Sequence, residues 1–160
     1  MLRPFNNSVS DQGTYTWTTS FNAGKRNAEL YFRNTEGISV IDNILYFVSK
    51  KQHELFELNL DNFTWKKSST KSGLFGGSPD QLVGIIGDKE LVYFTEEGFG
   101  DESQGDSAAG VHARDNRGRY FTILESHVYH EESTGLAFSP DHRHLYVACK
   151  FSFHQIFFVL

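Results

Sequence analysis

The sequence predicts an all-β fold built from a repeated antiparallel unit, and three observations predict it. From about residue 28 onward, short runs of Leu, Ile, Val, Tyr and Phe are broken by Gly, Asp, Asn and Pro, the pattern of strands and tight turns. Helical periodicity is nearly absent. The same strand–turn–strand phrase recurs with Tyr46, Tyr93 and Tyr146 as landmarks, 47 and 53 residues apart. That spacing is close to the ~40–50 residues of a four-stranded β-propeller blade.

Residues 1–27 form an N-terminal arm in which Thr14 to Phe21 is a candidate outer strand of a preceding blade. The first blade, about 34–70, reads as strands at 38–41, 44–48, 54–60 and 64–67, joined at Asp42-Asn43, at 50–53 and at Asp61-Asn62. Asp and Asn tolerate the left-handed backbone that tight hairpins need. Polar Glu54, Glu57 and Asn59 among Leu55, Phe56, Leu58 and Leu60 suggest an outer strand with one face in water. The second blade, about 80–125, repeats the phrase at 80–86, 91–95, 110–114 and 120–124. A third, about 132–150, shows 134–141 and 144–148, and residues 151–160 form a divergent hydrophobic tail without turn residues.

A closed propeller needs at least about four blades. The expectation is therefore an incomplete β-propeller of about two and a half four-stranded antiparallel blades. Such a chain is a truncated part of a longer ring, an open stack with protected ends, or a part-ring completed by self-association or a partner chain.

Composition narrows the function. The 160 residues are 39% hydrophobic and 15% aromatic, enough large apolar side chains for a packed core rather than a disordered tail. With 15 Lys+Arg against 20 Asp+Glu, the net charge of −5 leaves no basic footprint for a phosphate backbone, so no nucleic-acid partner is expected. The single cysteine, Cys149, and the absence of CxxC spacing exclude internal disulfides, zinc fingers and iron–sulfur sites. Residues 1–13 lack the ~7–15-residue apolar run of a secretory signal. The longest apolar stretch, 155–160, is far short of the ~20 residues of a membrane span.

The sharpest feature is where carboxylates fall. Glu36 precedes Gly37, Glu96-Glu97 precede Gly98, and Glu132 precedes Ser133-Thr134-Gly135, each where chain reversal meets a strand of the repeat. Taken singly, each reads as a solvated turn residue. Recurrence changes that reading, because first strands of successive blades line one channel and bring equivalent residues to one mouth. Converging carboxylates repel unless a cation sits among them, and hard oxygen donors suit Ca²⁺. Asp80, after Pro79, is a further candidate ligand.

Other signals are weaker. The stretch 98–110 is acidic and Gly-rich but lacks EF-hand ligand spacing, and reads as a loop. His142 and His144, like His127 and His130, read as turn and loop residues rather than metal ligands. Gly77-Ser78-Pro79-Asp80 is not a nucleophile elbow.

Arg33-Asn34-Thr35-Glu36-Gly37, Pro79–Leu82 running to Phe94–Gly98, and Glu132–Asp141 followed by His144–Val147 resemble PhoX-type alkaline phosphatases, most closely algal, diatom-like cell-surface members. The resemblance covers about residues 28–148. It implies a propeller with calcium and iron at its axis that hydrolyses phosphate esters, with Glu36, Glu96 and Glu132 on ligand-bearing positions and a metal centre polarising the phosphoryl group. It also implies a secreted or cell-surface location. The family's cysteine iron ligand is replaced by Thr95, and Cys149 is a poor substitute. The expectation is thus a calcium-binding PhoX-like module, non-catalytic alone, with metal ligands Glu36, Asp80, Glu96, Glu97 and Glu132. The alternatives are a Ca/Fe phosphatase acting on phosphate monoesters and a lactonase-like calcium-dependent hydrolase.

Overall fold

The computed structural model describes residues 1–4, 11–71, 78–84, 91–97, 109–126, 132–150 and 155–159. It is mostly antiparallel β-sheet, with one helix among the described residues.

The first sheet holds six strands: β1 (Leu2–Pro4), β2 (Gln12–Tyr15), β3 (Thr35–Ile41), β4 (Ile44–Ser49), β5 (Glu54–Asn59) and β6 (Thr64–Ser69), in the order β1-β2-β6-β5-β4-β3. The second holds β7 (Ser78–Gly84), β8 (Leu91–Glu97), β9 (Ala109–Asp115) and β10 (Tyr120–Ser126), ordered β10-β9-β8-β7. The third is β11 (Ser133–Phe138), β12 (Leu145–Lys150) and β13 (Gln155–Val159). From β3 onward each strand pairs with its sequence neighbour, so each sheet contains a meander. The first strands adjoin: β3 packs on β7, and β11 packs on β7 and β8.

Local chemistry sets these elements. The β3–β4 hairpin turns on Asp42 and Asn43, both with positive φ (48° and 62°), the two-residue geometry that matches the twist of the flanking strands. At the β5–β6 turn, Asn59 accepts from the backbone N–H groups of Asp61 and Asn62, and the left-handed residue is Phe63. The turn after β11 is held by Asp141, which accepts from Ser139 Oγ and from the Arg143 N–H. His142 and His144 there are exposed.

Three elements differ from the sequence expectation. The stretch 14–21 is not one strand: β2 ends at Tyr15 and pairs with β6, widening the first sheet, and helix α1 (Phe21–Tyr31) begins at Phe21. Ser20 caps α1 by accepting from the Ala23 N–H. No residue of α1 is buried, so the helix carries little of the apolar periodicity by which helices are recognised. Second, β5 is not half-exposed: Leu55 through Leu58 are all buried. The reason is its position between β4 and β6, with Tyr31 and Phe32 packed near one face and the second sheet on the other. Third, part of the tail is β13, paired with β12.

The core lies in three layers. Leu2, Tyr15, Phe47, Phe56, Leu58 and Trp65 form the outer layer, where Phe47 and Phe56 stack at 4.9 Å. Val48 and Leu55 meet Leu82 and Phe94 between the first and second sheets. Val111 meets Leu145, Val147 and Cys149 between the second and third. Fully burying each large side chain contributes about 1.5–3 kcal/mol.

The repeat is most explicit in the registers. In β3 the pairing steps from Thr35↔Ser49 to Ile38↔Phe47, in β7 from Pro79↔Glu96 to Leu82↔Phe94, and in β11 from Ser133↔Cys149 to Gly135↔Ala148. Each first strand therefore holds one extra residue near its start, a β-bulge that bends the strand. These registers make Glu36, Asp80 and Thr134 equivalent positions, and likewise Lys50, Glu97 and Lys150. Gly37 lies in the first bulge because a Cβ there would sit 2.4 Å from the Leu82 backbone nitrogen.

Candidate functional site

The bulges and the ends of the second strands lie at one end of all three sheets. There β4 runs into Ser49-Lys50, β8 ends in Glu96-Glu97 and β12 in Cys149-Lys150. Period-2 alternation separates the members of each pair. Ser49, Glu96 and Cys149 are buried, while Lys50, Glu97 and Lys150 meet the carboxylates between the sheets.

Lys50 is the hub. Its Nζ lies 2.7 Å from Glu97 Oε2 and 3.7 Å from Glu132 Oε1, and Lys150 Nζ is 3.2 Å from Glu132 Oε2. A backbone bridge between Glu97 and Glu132 joins the second sheet to the third at this point. Asp80, 4% exposed, is hydrogen-bonded through its carboxyl to Glu132 and lies within the fields of Lys50 and Glu36. Glu36 accepts from the Asn34 side-chain amide at 3.3 Å.

The electrostatics follow from this crowding. Burial, then the bond to Glu132 and the charges of Glu132 and Glu36, push the Asp80 carboxyl up to about 6 against the opposing pull of Lys50. Burial alone would raise Glu132, but hydrogen bonds from Lys150 and Asp80 and the two lysine charges hold it below the usual carboxylate range. Partial burial would lower Lys50, and the bond and charge of Glu97, with Asp80 and Glu132, raise it instead. Asp80 and Glu132 thus form one coupled pair, the first raised and the second lowered.

Four of the five sequence-predicted ligands, Glu36, Asp80, Glu97 and Glu132, therefore belong to one cluster. Glu96 does not: its carboxylate faces His112, with Oε2 2.6 Å from Nε2, both side chains buried. Among the described residues, no group of three or more His, Cys, Asp or Glu is arranged as a preassembled metal site. The loop 98–108, His127 and His130 lie outside the described residues.

Donor chemistry separates the two metals implied by the PhoX resemblance. The cluster offers hard carboxylate oxygens, which fit Ca²⁺. Iron held through a thiolate does not fit. Thr95, fully buried, uses its hydroxyl to accept from the Gln81 N–H inside the β7 bulge at 2.8 Å. Cys149 is in the core between the second and third sheets, its Sγ 3.7 Å from Ser133 Oγ.

Two residues, Lys50 and His112, are only weakly marked in the sequence. Lys50 and Lys51 read only as turn residues, yet the pairs 49–50, 96–97 and 149–150 recur at equivalent places and mark Lys50 once the registers are known. His112 follows Ala109, Gly110 and Val111 and precedes Ala113 in β9, and that small, apolar setting is the trace of its buried role. At the opposite end of the sheets is a cleft of about 500 Å³ lined by Ile44, Tyr46, Glu57, Lys66, Val92 and Arg114. Its charges are mutually compensated, since Glu57 pairs with Lys66 at 2.9 Å and with Arg114 at 3.4 Å.

No helix among the described residues is long and apolar enough to cross a membrane. In comparisons with known proteins, no family model matches the sequence and no curated protein matches it significantly.

Proposed function

We propose that the protein is a calcium-binding module of PhoX-like β-propeller type whose acidic mouth is not itself a catalytic centre. The observation that carries the proposal is the meeting of Asp80, Glu97 and Glu132, from two sheets, around Lys50 of a third, with Glu36 in electrostatic range of Asp80. Repeated bulges at the same point of β3, β7 and β11 support the blade reading of the three sheets.

Charge balance supplies the reason for a divalent ion. With the four carboxylates ionised, Lys50 and Lys150 leave two negative charges uncompensated, and Asp80 relieves part of that only below about pH 6, where it holds a proton. Ca²⁺ replaces that proton and the Lys50 ammonium together, bringing two positive charges and accepting six to eight oxygen donors at ~2.3–2.6 Å. Water completes the shell. The bound ion then ties the first, second and third sheets at one point.

Calorimetric titration of Ca²⁺ into the full chain tests this. The account expects Asp80→Asn to weaken binding at least about tenfold, equivalent to about 1.4 kcal/mol, and Lys50→Met to strengthen it. Undiminished affinity in a combined Asp80→Asn and Glu132→Gln variant overturns the proposal.

A further inference from the structure

Cross-strand register sets which side chains of the first sheet face the second. Ile44 pairs with Asn59, Tyr46 with Glu57, and Glu57 with Lys66, so these side chains of β4, β5 and β6 share one face. Across from them, Val92 of β8 pairs with Arg114 of β9. Toward the acidic mouth the same two faces close on Val48, Leu55, Leu82 and Phe94, whereas here they enclose the cleft of about 500 Å³. That volume is within the ~300–1,000 Å³ of small-molecule sites.

The cleft offers polar groups of both kinds. Glu57, 9% exposed, presents acceptors: its Oε2 is 2.9 Å from Lys66 Nζ, and its Oε1 is 3.4 Å from Arg114 Nη1. Arg114 presents donors. A guanidinium carries five N–H groups, and among the described residues this one, 15% exposed, makes only that one long hydrogen bond, with its Cζ 6.0 Å from the centre of the Tyr120 ring. A ligand that brings oxygen acceptors stabilises a guanidinium so placed. Asn59 Oδ1 accepts from the Asp61 and Asn62 N–H groups, which leaves the Asn59 NH₂ as a further donor. The Tyr46 hydroxyl serves as either, and Ile44 and Val92 supply apolar wall.

Charge selects the class of ligand. Two carboxylates, Glu57 and Asp115, and two cations, Lys66 and Arg114, line the cleft, so it holds no net charge to offer an ion. An anion that reaches Arg114 meets Glu57 beside it, and an ammonium that reaches Glu57 meets both cations. A hydroxyl suits both, because it donates one hydrogen bond and accepts others. A sugar ring carries several hydroxyls at neighbouring positions and C–H groups on its faces. We infer that the cleft is a binding site for a neutral saccharide, with Glu57 accepting from, and Arg114 donating to, neighbouring hydroxyls of one ring and the C–H face against Ile44 and Val92. The site is at the end of the sheets away from the acidic mouth and needs no calcium.

The test is saturation-transfer NMR and calorimetric titration of the full chain in chelator. The probes are the methyl α-glycosides of glucose, galactose and mannose, with benzoate and inorganic phosphate as charged comparisons. The expected result is binding of at least one glycoside and of neither anion. Arg114→Gln weakens that binding at least about tenfold, and Tyr46→Phe, which keeps the ring and its packing, weakens it about two- to tenfold. Binding of no glycoside, preference for either anion, or a glycoside affinity equal in wild type and both variants overturns the proposal.

Discussion

The Asp80 carboxyl on β7 is bonded to the Glu132 carboxylate at the threshold of β11, so one proton spans the junction of the second and third sheets while Lys50 of the first sheet faces both. The three sheets are tied there by charge, together with the backbone bridge between Glu97 and Glu132. The consequences of that arrangement, and of the packing that produces it, are measurable.

The first consequence is a pH dependence of stability. Asp80 holds its proton to about 6 in the folded protein against 3.8 as the ordinary value, so between those limits the folded state binds the extra proton. Stability from this group is therefore full below about pH 4, falls as pH rises to about 6, and is flat above. The loss is on the order of 1–3 kcal/mol after allowance for solvent screening. Thermal unfolding in chelator should show that decline as a loss of wild-type stability relative to Asp80→Asn, since the lowered carboxylates Asp115 and Asp141 pull the opposite way in both proteins. An equal decline in both contradicts the shared-proton geometry.

The contact between β3 and β7 depends on a missing side chain. At Gly37 a methyl group would meet backbone, 2.4 Å from Leu82 N and 2.8 Å from Asp80 O, where no side-chain rotation relieves the clash. Gly37→Ala should cost about 1–3 kcal/mol, the range for overpacking. Urea denaturation reads it, and a change within ±0.5 kcal/mol contradicts the close approach.

Thr95 holds the β7 bulge through the Gln81 N–H. Thr95→Val preserves shape and removes the acceptor, leaving the part-buried Gln81 N–H without it at a cost of about 1 kcal/mol, whereas Thr95→Ser keeps it. Equal stability of the two variants, by chemical denaturation, would show that the bulge is held otherwise.

Packing between the first and second sheets centres on Phe94, fully buried against Val48, Leu55 and Leu82. Phe94→Ala should lose about 3–5 kcal/mol, while Phe121→Ala, at a 42%-exposed position, stays near ±0.5 kcal/mol. Comparable losses at the two positions contradict the placement of the core.

What the sequence made legible is what short-range chemistry controls. Asp42-Asn43 declared its hairpin because both residues tolerate positive φ, and the Leu-Tyr-Phe and Val-Tyr-Phe phrases declared β4 and β8 because strand patterning is local. Helix α1 escaped because its residues are not buried, so nothing enforces an apolar stripe. Within the acidic cluster the turn positions of Glu36, Glu97 and Glu132 were readable, but the side-chain parity that sends Glu96 to His112 and Glu97 to Lys50 depends on register. A one-residue step exchanges faces. Lys50 was invisible for a related reason: its partners lie 47 and 82 residues away, and nothing in a Lys-Lys turn names them.

The measurement that bears most directly on the calcium account is anomalous diffraction from crystals of the full chain grown with Ca²⁺. The account predicts one strong peak at the shared end of the sheets, ~2.3–2.6 Å from oxygens of Asp80 and Glu132, with the Lys50 ammonium moved off Glu97. Peaks confined to other parts of the surface, with Lys50 still on Glu97, contradict it.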